Sequence, residues 1–452
     1  MTKATNTGSS IDMLATMGSI LEEGKKTGFS AVEAFGEKVE TEEYERFIDH
    51  KTQQHTASTH HVSTRAFWDV GDPVGFGLSK PGPAEIKNAF AAIYSINLPA
   101  QTGNYAHLLP ASVDRVDTRI YDETIETVPM DIHGFDELTG QIDEIFISPT
   151  FKDLQLKKVH YSRGLKKVYI ANTAGLDAKY LRTFFNLQLS VELGNNLIDI
   201  RESSTFARDI EPFKLVSRAY NLLHSLTETP LTTARKDIFL VLSPEASAFI
   251  LKEFSDYFKV KADKKFMDIP FPAILNLVDD PLMDGRVGSV PFDDEGTQSG
   301  EKYLIRKGSF SEVITDIRSA FQQGPGIRSS GNGFRTERSL FPSVRFSNLY
   351  IKPTVLSLKN LMEDAGEGIL VSLLKLKYID REGYVFSAYG YRFSGDSLME
   401  PVHFYFRTTF LSYFLNILKI SREVKFFYSV YNVGSPYILL EAKRKSPYLW
   451  AI

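Results

Sequence analysis

The 452 residues contain no cysteine. This excludes disulfides, thiolate-bound zinc, iron–sulfur ligation and a cysteine nucleophile together. A block of one charge is also missing: 52 basic and 56 acidic residues are interspersed to a net charge of −4. A mildly acidic chain without a basic stripe is not built to track a phosphate backbone or an anionic bilayer, so neither direct nucleic-acid binding nor membrane binding is expected. No run is apolar enough to span a membrane. The best late candidate, Phe404 to Ile420, is broken by Arg407, Thr408, Thr409, Ser412 and Asn416. The opening MTKATNTGSS is small and polar and leads into a helical pattern, not a signal core, which predicts a cytoplasmic protein.

What is present describes a globular chain too long for one ordinary domain. With 33 Phe and 21 Tyr it favours sheet-rich structure. The pattern predicts an α+β protein, with an N-terminal α+β domain over 1–230 and a C-terminal β-rich domain over 231–452, the boundary falling at Thr229-Pro230. Ser9 and Asp12 form a capping-box pattern before a helix with Ile11, Leu14, Met17 and Leu21 on one face, closed by Gly24 and Gly28. Ser30 to about Val70, with a turn at Gly71-Asp72-Pro73 leading into Val74 to Gly77, reads as a small meander of strands, and Pro83 starts a helix carrying Ile86, Ala89, Phe90 and Ile93. Gln101 to Asp131 reads as a surface connector without chemistry. Lys167 to Asn172 is strand-like, and Phe185, Leu187, Leu189, Val191 and Leu193 alternate with polar residues as in a half-buried antiparallel strand. A helix with Phe213, Val216, Tyr220, Leu223 and Leu226 on one face follows.

The C-terminal half opens on Ile238 to Phe258. An apolar run to Leu242 predicts a buried strand, Ser243-Pro244 a helix start, and Ala248, Leu251, Phe254 and Phe258 a helical core face. That helix presents Lys252, Glu253 and Tyr257 on its exposed side. Turn-rich sequence runs from Asp279 to Gly296, and Gln322 to Arg335 is glycine- and serine-rich enough to predict a mobile loop. Strands over 368–378, 384–393, 402–408, 424–430 and 437–442, with one helical interruption at Leu411, Phe414, Leu415 and Leu418, predict a large curved antiparallel sheet.

Several polar groups are candidates for chemistry. Asp293-Asp294-Glu295-Gly296-Thr297 supports two readings: a substrate-contacting acidic segment in which Asp293, Asp294, Glu295 and Thr297 meet a peptide, or a tight turn held by side chain to backbone bonds. Asp279, Asp280 and Asp284 lack the ligand alternation of an EF-hand. His55, His60 and His61 cluster in sequence, but strand alternation sends His60 and His61 to opposite faces, which favours surface strand residues over ligands. His224 and His403 stand alone and read as satisfied structural histidines. GPGIRSSGNG has the spacing of neither phosphate-binding glycine motif.

In order and spacing, several segments resemble the TldD/TldE family, also called PmbA or modulator of DNA gyrase. They are RAFWDVGDPVGFGLSKPGPAEIKNAF, Ile170 to Gly175, SVPFDDEGTQSGEKYLIRKGSF, Arg345 to Pro353, GYVFSAYGYRFSGDSLMEPV and Val433-Gly434-Ser435-Pro436. The resemblance implies an N-terminal α+β domain, a curved C-terminal sheet and a heterodimer enclosing a peptidase chamber for unfolded or small peptides. It further implies that the TldD-type partner carries zinc on a helical HExxxH motif with a downstream cysteine. Counted from Pro244, the motif positions fall on Lys252, Glu253 and Tyr257, which with no cysteine in the chain implies no metal here. The expectation is a TldE-like, metal-free subunit that supplies chamber wall and substrate contacts, with zinc on its partner. The alternative is a stand-alone peptide-binding or scaffold homodimer; a metal-independent hydrolase using Glu253 or the Asp293–Glu295 cluster is a third reading, for which the sequence marks no nucleophile with its base.

Overall fold

A computed structural model describes residues 12–48, 51–79, 82–96, 103–127, 131–233, 235–259, 268–336, 339–428, 432–446 and 449–451. Ser9, Ile11, Gln101 and Val430, which figure in the expectations above, lie outside these. The protein is α+β. Its N-terminal half holds α1 (Met13–Thr27), β1 (Ala31–Phe47), β2 (Thr52–Phe67), β3 (Val74–Leu78), α2 (Pro83–Tyr94), α3 (Thr124–Thr127), α4 (Ile132–Ile147), β4 (Gln155–Asn172), β5 (Asp177–Leu193), β6 (Asn196–Ser204) and α5 (Pro212–Ser225). The strands form one sheet in the order β3-β2-β1-β4-β5-β6, antiparallel throughout. Asp12 caps α1 by accepting from the Leu14 and Ala15 amides at 3.1 and 3.2 Å.

The expected small meander forms as β1-β2-β3, its first two strands making a long hairpin of 17 and 16 residues. Strand β4 likewise extends a dozen residues upstream of the predicted Lys167. Its Lys158, Arg163, Lys166 and Lys167 break the apolar alternation, and each meets a glutamate of β1: Glu45 at 2.6 Å, Glu42 at 2.7 Å, Glu37, and Glu40 at 3.9 Å. Cross-strand charge pairs hold this part of the ladder alongside the buried Val159, Tyr161 and Leu165. Strand β5 buries Phe185, Leu187, Leu189 and Val191 as the alternation predicts. On α5 the buried face is Leu215, Val216, Ala219, Leu222 and Leu223, while Phe213 is exposed. The segment expected as a surface connector buries Tyr105, Leu109 and Ile120.

The C-terminal half contains β7 (Asp237–Leu242), α6 (Pro244–Phe254), β8 (Leu277–Asp279), β9 (Lys302–Arg306), β10 (Ser309–Phe310), α7 (Ile317–Gln323), β11 (Gly333–Phe334), β12 (Ser343–Val344), β13 (Asn348–Ile351) and α8 (Leu358–Ala365). There follow β14 (Glu367–Asp380), β15 (Gly383–Ser394), β16 (Ser397–Thr408), α9 (Phe410–Leu415), β17 (Ile417–Ile420), β18 (Lys425–Tyr428), β19 (Asn432–Ser435), β20 (Ile438–Ser446) and β21 (Leu449–Ala451). Two larger sheets result, β10-β9-β8-β13-β19-β18 and β17-β20-β21-β16-β15-β14-β7. The second curves so far that β7 also pairs with β20, closing the ring, and it includes parallel pairs at β7–β14 and β16–β21. Leu240, Leu242, Phe386, Phe404, Phe406 and Trp450 fill the core with α6, while Val241, Leu370 and Leu439 point the other way, with Leu361 and Met362 of α8. Among the described residues no helix is long and apolar enough to cross a membrane.

Candidate functional site

The strand–helix unit forms as its sequence predicts. Ser243 ends β7, its hydroxyl accepts from the Ala246 amide at 3.2 Å and donates to the Ser372 carbonyl at 3.0 Å, and Pro244 starts α6. Ala246, Ala248, Ile250, Leu251 and Phe254 are buried. The α-helix ends at Phe254, however, and Ser255–Phe258 continues as a 3-10 turn, so Tyr257 does not share a helical face with Lys252 and Glu253. Nor is Tyr257 an open surface group: its ring stacks on Phe410, centroids 4.4 Å apart at 18°. Lys252 Nζ lies 3.4 Å from Glu253 Oε1.

This donor set does not fit zinc. The metal takes neutral imidazole, thiolate or carboxylate donors in a tetrahedron. Here one position is an ammonium paired with the only carboxylate, and another is a phenol whose ring is packed against phenylalanine. Among the described residues no group of three histidine, aspartate or glutamate side chains converges in a way that could hold a metal ion.

The acidic turn sits between the two halves of the chain. Asp293 accepts from the Glu295 and Thr297 amides with Oδ1, at 3.0 and 2.8 Å, and from Gly333 with Oδ2 at 2.8 Å. Asp294 Oδ2 accepts from the Arg335 amide at 2.7 Å, and the Arg335 guanidinium also donates to the Asp294 carbonyl. Gly296 adopts φ +76°, where a β-carbon would lie 2.2 Å from Leu176 Cδ2 across the interface. Glu295 accepts from Arg65 Nη1 at 2.7 Å and from the Ile317 amide at the start of α7, also at 2.7 Å. Arg65 in turn binds Glu33 through Nε at 3.0 Å and Nη2 at 2.6 Å, and Arg335 Nη2 reaches Glu33 at 2.6 Å. Asp293, Glu33 and Glu295 are fully buried and Arg65 and Asp294 nearly so. As the chain is folded here these carboxylates face protein, with only Thr297 partly exposed. Around them Phe35, Val168, Ile170 and Leu176 pack on Val290 and Phe292.

The electrostatics of the network are uneven. Burial pulls the Glu33 carboxyl upward, but Arg65 and Arg335 outweigh it and hold the group below the ordinary range. Burial pushes Asp293 and Asp294 up. Glu295 is pushed up to about 7, chiefly by burial and against the pull of Arg65. The folded chain therefore keeps a proton on Glu295 between the ordinary 4.5 and about 7, where the unfolded chain has released it. This group's contribution to stability falls as pH rises through that window. Glu295→Gln should remove that part of the slope. Urea midpoints of native and variant chains at about pH 5 and about pH 7.5 check it; a native-minus-variant difference that does not change between them would contradict it.

The serine- and glycine-rich segment expected as a mobile loop is stitched down. Ser330 bonds Thr315 through backbone and side chain, and Asn332, fully buried, donates to Asp279 Oδ2 at 2.7 Å and to the Arg345 carbonyl at 2.8 Å. The same residue types that suggest a free loop serve here as donors to buried acceptors. Of the histidines, His55 is exposed while His60 and His61 are half-buried on a strand opposite Lys38 and Glu37. His224 is satisfied by Asp153 and the Tyr220 carbonyl, both at 2.9 Å. His403 is not isolated: its Nε2 lies 2.7 Å from Ser387 Oγ. Sequence reading missed this pair and the Arg65–Glu33–Arg335 network, since each assembles across strands with no local pattern.

Residues 241–444 match the family model for the PmbA/TldA metallopeptidase C-terminal domain. With the closed sheet and the strand–helix unit, this defines the class: a chain with a metallopeptidase-type C-terminal domain. The structure is similar to TldE from Thermococcus kodakarensis (TM-score 0.79, 17% identity) and to a Thermotoga maritima protein described as a modulator of a DNA gyrase (TM-score 0.79, 16% identity). Each likeness covers 94% of this chain and 98% of the other, and at these identities it is one of fold. A metalloprotease of Methanothermobacter thermautotrophicus is 31% identical over 131 residues, 28% of each chain, so the match spans about a quarter of that relative's length. Residues 241–444 thus carry the C-terminal domain of the PmbA/TldD family, and across the rest of the chain the likeness is one of fold.

Proposed function

We propose that this chain is the metal-free, TldE-like subunit of a heterodimeric TldD/TldE metallopeptidase that degrades or matures peptides. The observation that carries the reading is the strand–helix unit of a metallopeptidase-type domain, with Lys252 and Glu253 on the helix and Tyr257 packed on Phe410 in the turn beyond it. The frame is intact, packed by Leu240, Leu242, Leu251 and Phe254, and its donors cannot serve zinc. Zinc is then supplied by a TldD-type partner, and this chain contributes chamber wall. Thr297, the partly exposed member of the acidic segment, is its best-placed substrate contact there. The reading places the pair in the cytoplasm and leaves nucleic acid out of its direct partners. A stand-alone scaffold homodimer is the competing reading.

The test is reconstitution. The purified chain alone should not cleave an unstructured peptide, a zinc-bearing TldD-type subunit should bind it, and cleavage should appear in the mixture and vanish on chelation. A chain that ignores such a subunit and runs as a homodimer would support the scaffold reading instead.

A further inference from the structure

Ser387 and His403 project from neighbouring strands of the closed sheet, on the face opposite Phe386, Phe404 and Phe406. The register sets Tyr389 against His403 and Ser387 against Tyr405, so Ser387 and His403 meet diagonally. Ser387 Oγ lies 2.7 Å from His403 Nε2. The imidazole is held in place: Tyr389 stacks on it, centroids 4.6 Å apart at 16°, and Tyr405 meets it edge-on at 5.3 Å. The Tyr389 hydroxyl lies 3.3 Å from Ser387 Oγ. On its other side the His403 backbone bonds Thr229 and Leu231, each at 2.8 Å, so the connection between the halves runs beside it and brings the charge of Glu228 to bear on the ring. Lys375 lies over Tyr389 at 5.5 Å and Lys377 over Tyr405 at 3.9 Å, Lys377 donating to the Tyr405 hydroxyl at 2.7 Å.

We propose that Ser387 is a nucleophile activated by His403, in a metal-independent site that takes an acyl group from carboxylic esters. A serine hydroxyl within hydrogen-bond reach of a base, with that base oriented by further contacts, is the arrangement that acyl transfer requires. Burial, with Lys377 adding to it against Glu228, keeps His403 less basic than usual, so its Nε2 is free to accept the Ser387 proton near neutral pH. The Oγ lone pair forms the bond to the carbonyl carbon as the proton passes to Nε2. The adduct then breaks its bond to the alcohol oxygen, which leaves with that proton. Water repeats the sequence on the acyl-serine, releasing the acid and returning the proton to Ser387. Lys375 and Lys377 favour esters with an anionic group near the carbonyl. This activity belongs to the chain itself and requires no partner subunit.

The test is labelling of the purified full chain with a fluorophosphonate in the presence of a chelator, followed by peptide mass spectrometry. The expected result is an adduct on Ser387, lost in Ser387→Ala and formed about 10²- to 10⁴-fold more slowly in His403→Gln, with an unchanged melting temperature. No adduct on Ser387 of the native chain would overturn the proposal without recourse to any variant. So would labelling that His403→Gln leaves at its native rate.

Discussion

Replacing Arg65 by methionine should destabilise the chain by about 3–5 kcal/mol, the usual cost of removing one partner from a buried ionic group. Its guanidinium holds Glu33 and Glu295 from opposite halves of the molecule, at 2.6 and 2.7 Å, and all three side chains are shut off from water. Methionine fills much of the volume and supplies no charge. Arg335 still neutralises Glu33, so the uncompensated group is Glu295, which must take up a proton or remain a buried carboxylate short of its cation. Urea unfolding measures the effect. A loss under about 1 kcal/mol would mean that Arg65 is dispensable to the interface. The large figure is the cost of breaking the network and does not measure its net worth, since a well-packed apolar replacement of all its members could be as stable. For that reason the double variant Glu295→Gln with Arg65→Met should lose less than the sum of the two single changes.

The second large effect belongs to α6. Phe254→Ala should cost about 3–5 kcal/mol, because the ring is fully buried and its removal leaves a cavity among Tyr384, Phe410 and Tyr413. Glu253→Gln, one residue away, should change stability by no more than about 0.5 kcal/mol and leave the peptidase activity of a reconstituted pair intact. The contrast separates a retained frame from a working site. Loss of activity in Glu253→Gln with stability unchanged would show that the glutamate does chemistry after all.

Much of this architecture is legible from residue patterns, and the exceptions have physical causes. The run Ile238 to Leu242 with Ser243-Pro244 announces a strand and a capped helix because both signals are local. The alternation from Phe185 to Leu193 is visible because one face is apolar and the other is not. Strand β4 escapes the same test because its lysines and arginine are satisfied by glutamates of a strand about 120 residues away. The short-range pattern of Asp293 to Thr297 reveals a turn, but nothing local reveals that Glu295 meets Arg65, 230 positions earlier. His403 looks isolated because its serine lies on the preceding strand, and strand pairing is what brings the two together. The helix end at Phe254 is hidden as well: Phe258 continues an apolar spacing that suits both an α-helix and a 3-10 turn.

The central claim, that this chain serves a metallopeptidase without holding its metal, is tested most directly by zinc content. The isolated chain and its complex with a TldD-type subunit would each be desalted and measured by mass spectrometry of the elements. The account predicts zinc in the complex in proportion to the partner and essentially none in the isolated chain, with Glu253→Gln making no difference. About one tightly held zinc per isolated chain, lost in Glu253→Gln, would contradict it.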